Sequence, residues 1–252
     1  MKPKIISHRL KTKPDILDSQ FFTLPLGEGA PVFTLTLAGL GDMSVKDSRA
    51  NRDRLCVSLR IPPSALAGLV QVHSKKVYAA ESLFPLTDHS PPPEGDGLVT
   101  SREGLFLSVT AADCMPIALF DAETKAFGIV HSGWKGTGIA AEAIRIMGER
   151  YGTRASDLVA VAGPSIDSCC YSVPEERALL FREQWGPEAA LFREGKWFLS
   201  LWNANRRILA RAGVRIIHHI ADCTCCSPFL GSYRREGPGA YTHMLATIGY
   251  FK

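Results

Sequence analysis

Five short stretches of the chain are almost wholly apolar and are bounded by polar or turn-forming residues. They are LFLSVTA at 105–111, MPIALF at 115–120, AFGIV at 126–130, LVAVAG at 158–163 and VRIIHHI at 214–220. Runs of this length, several rich in β-branched residues, predict buried strands. Between them the period changes. In GIAAEAIRIMGERYG (138–152), Ile139, Ala140, Ala143, Ile144, Met147 and Tyr151 fall on one helical face, Thr137 stands where an N-cap would, and Gly152 where a C-terminal cap would. SLWNANRRILARAG (200–213) repeats the design, with Ser200 in front, Leu201, Ala204, Ile208 and Leu209 on one face, and Gly213 behind. A weaker helical pattern covers SVKDSRANRDRLCVSLR, 44–60. PLTDHSPPPEGDG, 85–97, contains three consecutive prolines and predicts an internal loop. Strands and helices mixed in this order predict an α/β or α+β protein, sheets covered by helices, in a single domain over 1–252.

Composition narrows the class without changing the fold. At 252 residues, 46% hydrophobic and 21% charged, the chain has the make-up of a globular domain large enough to bury a substantial core. The net charge of +4 is small and its basic residues are scattered, which argues against nucleic acid as a partner. The opening MKPKIISHRLKTKPDILDS has no apolar core of a secretion signal, and no later run reaches the roughly 18 apolar residues of a membrane span. The expectation is a soluble, cytoplasmic protein with no membrane partner. Seven cysteines, an odd number, do not suggest a disulfide framework and point to metal binding or thiol chemistry.

Three chemistry-bearing residues interrupt the apolar pattern at or near strand ends: His73 in VQVHSKKV, Cys114 in AADCMPI and His131 in GIVHSGWKGTG. Two imidazoles and a thiolate suit zinc, and three protein ligands leave a fourth tetrahedral position open, the mark of a catalytic rather than a structural ion. Spacing alone leaves other readings open. Cys114 and His131 could instead form an activated thiolate pair. Each could also be a packed or hydrogen-bonded core residue. Asp113 should face away from Cys114 if the strand is regular, and so either orient a ligand histidine or accept backbone hydrogen bonds.

The ordered set QVHSKKV, GDGLVT, TAADCMPIALFD, GIVHSGWKGTG, AGPSIDSCCYSV and CTCCSPFLGSYRREG resembles the multicopper polyphenol oxidase or laccase-domain family, which also includes peptidoglycan editing factors and purine nucleoside phosphorylases. The likeness runs from about residue 71 to 237, with an echo in ANRDRL at 50–55. It implies a layered α/β/β/α fold with mixed sheets, and metal ligands, doubling as catalytic residues, at His73, Cys114 and His131. It further implies a zinc-dependent purine nucleoside phosphorylase. Adenosine or inosine and phosphate would give free base and ribose 1-phosphate, with adenosine deamination as a side activity. Rival readings are a peptidoglycan-precursor hydrolase, a copper polyphenol oxidase and a non-enzymatic zinc-binding module. Copper is the alternative metal, but seven histidines, only two of them in the site, are too few for a type 1 centre plus a trinuclear cluster. The sequence leaves the oligomeric state open.

Departures from the family pattern spare the three metal ligands. The usual HGFSTRxGGxS becomes HRLKTKPDILDS, HAGWRG becomes HSGWKG, and the TGRM after SYRRDG is replaced by GPGAYTHM. Of the remaining cations, Arg234 and Arg235 in a Gly-rich loop are candidates for bidentate phosphate binding, and Lys135 for a point-charge contact. Trp134 either walls the pocket or belongs to the core. Cys169, Cys170, Cys223, Cys225 and Cys226 lack the usual paired C-x-x-C of a four-thiolate zinc site and are expected to be buried or oxidisable thiols. His218 and His219 alternate across a strand, so at most one could join any single site.

Overall fold

The structure, a computed structural model, describes residues 2–10, 20–44, 48–84 and 92–251. Strands and helices are numbered in chain order. The larger sheet runs β1 (Lys4–His8), β14 (Ile216–Ile220), β10 (Leu158–Ala162), β8 (Met115–Asp121), β9 (Phe127–Ser132), β6 (Gly97–Thr100), β5 (Val77–Ala79). It is mixed: β1, β14 and β10 are parallel, β10, β8, β9 and β6 pair antiparallel, and β5 lies parallel to β6. A second sheet runs β2 (Phe21–Pro25), β3 (Val32–Thr36), β15 (Met244–Gly249), β7 (Phe106–Ala111), β4 (Leu66–Ala67). A small third sheet joins β11 (Ser172–Val173), β13 (Lys196–Leu199) and β12 (Ala190–Arg193).

The period of two along the strands decides how the layers stack. In β8, Met115, Ile117 and Leu119 belong to one core while Ala118 and Phe120 belong to another. The first core is closed by α2 (Ile139–Tyr151), α3 (Glu175–Trp185) and α4 (Leu201–Ala212). The second lies between the two large sheets, where Phe127 and Ile129 of β9 meet Leu107 and Val109 of β7 and Ala246 and Ile248 of β15. On the far face of the second sheet, Phe106 and Leu245 pack against Leu55, Cys56 and Leu59 of α1 (Arg49–Leu59). The result is the layered α/β/β/α arrangement. Each fully buried Leu or Phe contributes roughly 1.5–3 kcal/mol, so the inter-sheet core is the main cohesive layer.

All five apolar runs form strands, and both periodic stretches form helices. In α2 the buried positions are Ile139, Ala140, Ala143, Ile144 and Met147, and Gly152 closes the helix with φ 76°. In α4 the Ser200 hydroxyl accepts the N–H of Asn203, and Gly213 ends the helix with φ 103°. Thr137 is not the N-cap of α2: Gly138 holds that place, and the Thr137 hydroxyl donates instead to Gly133 O at 2.8 Å. The pattern over 44–60 shortens to α1, with Arg60 in the left-handed region behind it. Of the loop expected at 85–97, residues 85–91 lie outside the described residues, and Gly97 already opens β6. Most of the divergent segment at 8–19 also lies outside them. A last helix, α5 (Tyr233–Glu236), is a single turn capped by Ser232, whose hydroxyl accepts the N–H of Arg235.

Candidate metal centre

Cys114 sits where the chain crosses from one large sheet to the other. β7 belongs to the five-stranded sheet, β8 to the seven-stranded one, and Ala112–Cys114 make the crossing in a bend. Asp113 is therefore not in a strand, and alternation does not govern it; its φ is 87°, a left-handed value uncommon for a residue with a side chain. His131 lies one residue before the end of β9, on the same parity as Phe127 and Ile129, so it extends the inter-sheet layer to its rim. His73 comes from the segment before β5 and is also left-handed, with φ 59°. That segment is tied to β7 through Gln71, whose amide donates to Thr110 O at 2.8 Å and accepts Thr110 N–H at 2.7 Å.

These constraints bring the three candidate ligands together. One donor atom each from His73, Cys114 and His131 lie within 4.8 Å of one another. The two imidazole rings meet edge-on, centroids 4.9 Å apart. His131 is buried, Cys114 half-buried and His73 exposed, so the trio is open to solvent on the His73 side. Gly133 completes the cradle: a Cβ there would lie 2.7 Å from Cys114 Sγ and 3.3 Å from His73 Cδ2. A soft thiolate with two imidazoles in a space that only glycine leaves free fits a borderline ion such as zinc.

Asp96 organises this group, and sequence reasoning missed it. Fully buried, it accepts His131 Nδ1–H at 2.9 Å, His73 N–H at 3.0 Å, and both the N–H and the hydroxyl of Ser74 at 2.7 Å. Burial alone would raise its pKa, but the hydrogen bonds from His131 and Ser74 outweigh it and hold the carboxyl down at about 2. With Nδ1 engaged, Nε2 is the ring nitrogen of His131 left for a ligand. The signal was present in GDGLVT: an acid placed directly before a strand whose four positions are all buried needs partners.

The three side chains polarise one another. Burial pushes the Cys114 thiol up, yet the neighbouring His131 and His73 bring it down to about 6. Burial pushes His131 down, yet the Cys114 thiolate and Asp96 raise it to about 9. The hydroxyl of half-buried Tyr171 is pushed up to about 12, first by desolvation and then by the Cys114 charge, so it stays protonated.

The other site candidates have contacts of their own. Asp113 orients no histidine; it accepts Thr224 Oγ1–H at 2.6 Å, Ser232 Oγ–H at 2.7 Å and Arg234 N–H at 2.7 Å, anchoring the 224–234 segment beside Cys114. Arg235, expected to hold phosphate, is wrapped by carbonyls: it donates to Thr224 O at 2.6 Å, to Ser227 O at 2.7 Å and to Leu230 O, and pairs with Glu236 at 2.5 Å. A guanidinium so satisfied braces a loop rather than waiting for an anion. Arg234 donates to Cys170 O at 3.0 Å and Ser172 O at 3.1 Å, with its guanidinium 5.4 Å from the Tyr171 ring centroid. Lys135 is exposed, its ammonium 5.7 Å from the Trp134 ring. Trp134 packs on the helical core, with Arg177 stacked at 4.4 Å on its ring. His218 bonds to His8 at 3.0 Å and His219 stacks on Trp202 at 3.6 Å, so neither joins the trio.

Comparison with known proteins places this geometry in context. Residues 36–250 match the family described as multi-copper polyphenol oxidoreductase laccase. A Deinococcus radiodurans protein named purine nucleoside phosphorylase is 36% identical over 204 residues, covering 79% of this chain and 76% of that protein. The purine nucleoside phosphorylase YlmD of Geobacillus stearothermophilus is 32% identical, covering 88% and 92%. Its crystal structure superposes with a TM-score of 0.80 at 29% identity, over 89% of this chain and 93% of that one. Mouse purine nucleoside phosphorylase LACC1 is 35% identical, but this chain spans only 34% of its length. No described helix is long and apolar enough to cross a membrane.

Proposed function

The chain belongs to the multi-copper polyphenol oxidoreductase laccase family, and from that membership we propose that it is a zinc-dependent purine nucleoside phosphorylase acting on adenosine or inosine. The observation that carries the reading is the convergence of His73, Cys114 and His131 within 4.8 Å at a rim open to solvent. Zinc bound there with one position free would supply Lewis acidity toward an oxygen of the substrates. The chain's own residues fix the arrangement: Asp96 sets the His131 ring and the His73 backbone, and Gly133 leaves the space between His73 and Cys114 clear. In the reaction a phosphate oxygen bonds to the ribose C1′ as the bond from C1′ to the base nitrogen breaks. The base leaves with a proton and ribose 1-phosphate remains. Adenosine deamination is the accompanying side activity, and the protein works in the cytoplasm.

Two imidazoles and a single thiol cannot furnish a type 1 copper centre together with a trinuclear cluster, which disfavours the oxidase reading. Purified protein given phosphate with inosine or adenosine is expected to release hypoxanthine or adenine and an equal amount of ribose 1-phosphate, and chelation is expected to stop it. Absence of free base over a metal-free control, across several nucleosides, would turn the assignment toward peptidoglycan-precursor hydrolysis.

A further inference from the structure

The late cysteines, expected to be buried or oxidisable thiols, come together in space. Cys169 and Cys170 lie in the turn that leads to β11, Cys223 and Cys226 in the turn after β14, and all four sulfurs lie within 4.8 Å of one another. Cys226 Sγ is 3.3 Å from Cys170 Sγ and 3.6 Å from Cys169 Sγ, and all four are free thiols. We propose that Cys169, Cys170, Cys223 and Cys226 form a second metal centre, a closed four-thiolate site that binds zinc and clamps the two turns together.

The distances fit the ion. Zinc–sulfur bonds of about 2.3 Å in a tetrahedron put the sulfurs about 3.8 Å apart. An iron–sulfur cluster interposes several irons and sulfides between its thiolates and needs a wider cage than these turns provide. The donor chemistry is uniform sulfur, with no imidazole or carboxylate in the group, which selects a soft or borderline metal over magnesium or calcium. Four protein ligands leave no position for substrate, so the centre is structural, in contrast to the open trio of His73, Cys114 and His131. Cys223 and Cys226 form a C-x-x-C turn whose Cys223 O accepts the N–H of Cys226 at 3.2 Å and of Ser227 at 3.0 Å. The backbone N–H of Asp167 points at Cys223 Sγ at 3.4 Å, a donor suited to a thiolate. A disulfide would join two of these sulfurs and leave the other two packed against it; one divalent ion engages all four. On binding, each thiol forms a bond to zinc and loses its proton to water, four protons for one ion.

The clamp reaches the first centre through side-chain hydrogen bonds. Thr224, between the two metal-facing cysteines of its turn, donates to Asp113, the neighbour of Cys114. Arg234 holds the carbonyls of Cys170 and Ser172, and Arg235 those of Thr224, Cys225 and Ser227. Zinc would thus close a scaffold that these arginines already brace, and the assignment does not depend on what the first centre does.

The test uses the full chain, purified under reducing conditions and loaded with zinc. The wild type is expected to hold two equivalents, and Cys114→Ser and Cys223→Ser one each. If the first centre binds no metal, the wild type will hold one, unchanged in Cys114→Ser and lost in Cys223→Ser, which separates the two assignments. Cobalt in the wild type should give the intense tetrathiolate charge-transfer bands, retained in Cys114→Ser. Should Cys223→Ser fail to fold, alkylation of the wild type followed by peptide mass spectrometry decides the matter. Zinc is expected to slow modification of Cys169, Cys170, Cys223 and Cys226 by more than about ten-fold, and chelation to restore it. Equal modification with and without chelator, a disulfide between these residues in the reduced protein, or zinc content unchanged in Cys223→Ser would each overturn the proposal.

Discussion

Asp96 lies 2.9 Å from Nδ1 of His131 and 3.0 Å from the backbone nitrogen of His73, so one buried carboxylate sets the position of two candidate ligands. Asp96→Asn keeps the size but replaces an acceptor of several hydrogen bonds with a group that must turn a donor toward some of them. Metal affinity is expected to fall about 10- to 100-fold while the circular dichroism spectrum is unchanged. Competition against a zinc chelator measures this, and wild-type affinity in the variant would show that the ring is held by packing instead.

Cys114→Ser separates two chemistries. As a ligand, Cys114 gives way to a hydroxyl that binds zinc poorly, so metal content at this centre and turnover should fall together. As a nucleophile, its loss would abolish turnover with metal retained. Zinc per chain is to be measured beside activity, with Cys223→Ser as the background so that only this centre is counted.

Gly133→Ala introduces a methyl group 2.7 Å from Cys114 Sγ. A real Cβ does not tolerate that distance, and the sulfur or the 133–138 segment must move, at a cost of about 1–3 kcal/mol. Turnover and metal binding are expected to drop, with the lost stability read from thermal unfolding. Undiminished activity would mean that the trio has slack.

Arg235→Ala is expected to leave the phosphate KM within about two-fold, because the guanidinium is already occupied by carbonyls. Stability should fall by about 2 kcal/mol, several degrees of Tm, as those carbonyls lose a charged donor. A large rise in phosphate KM with Tm intact would restore the phosphate-binding role.

His219 gives the fold an acid sensitivity of its own. Burial against Trp202 holds its pKa down at about 4, below the ordinary 6.5, so the unfolded chain takes up this proton first as pH falls. The stabilisation from neutral His219 is complete above about 6.5 and is lost as pH falls from there toward about 4. His219→Phe keeps the stack and removes the proton. Its Tm should therefore decline less than that of the wild type between about pH 7 and about pH 4.5. Parallel declines would assign the acid sensitivity to other groups.

What could be read from the sequence follows the range of the interactions involved. β7, β8, β9, β10 and β14 are legible because their apolar residues are contiguous, and α2 and α4 because theirs repeat with the helical period. α3 carries no such signal: Ala178 and Phe181 are buried but Leu179 and Leu180 between them are each 48% exposed. β1 is short and half polar, and becomes a strand only by pairing with β14. The convergence of His73, Cys114 and His131 followed from motifs, whereas Asp96 draws its partners from residues 22 to 35 positions away and has no local pattern. The cysteine cluster joins residues 56 and 57 positions apart, and Arg235 turns inward to carbonyls that no spacing reveals.

The crossing of the chain between the two sheets at Ala112–Cys114 has a thermodynamic consequence. A metal ion held by His73, Cys114 and His131 would touch one residue at the crossing, one on the seven-stranded sheet and one on a segment lashed to β7. That set exists only when the sheets are docked, so the ion would bind the native state and not a chain whose layers have parted. Free zinc at a hundred times its dissociation constant would then add about 2.7 kcal/mol to the cohesion of the layers. The free zinc concentration around the protein would then bear on how firmly its layers hold together, apart from any part the ion plays in catalysis.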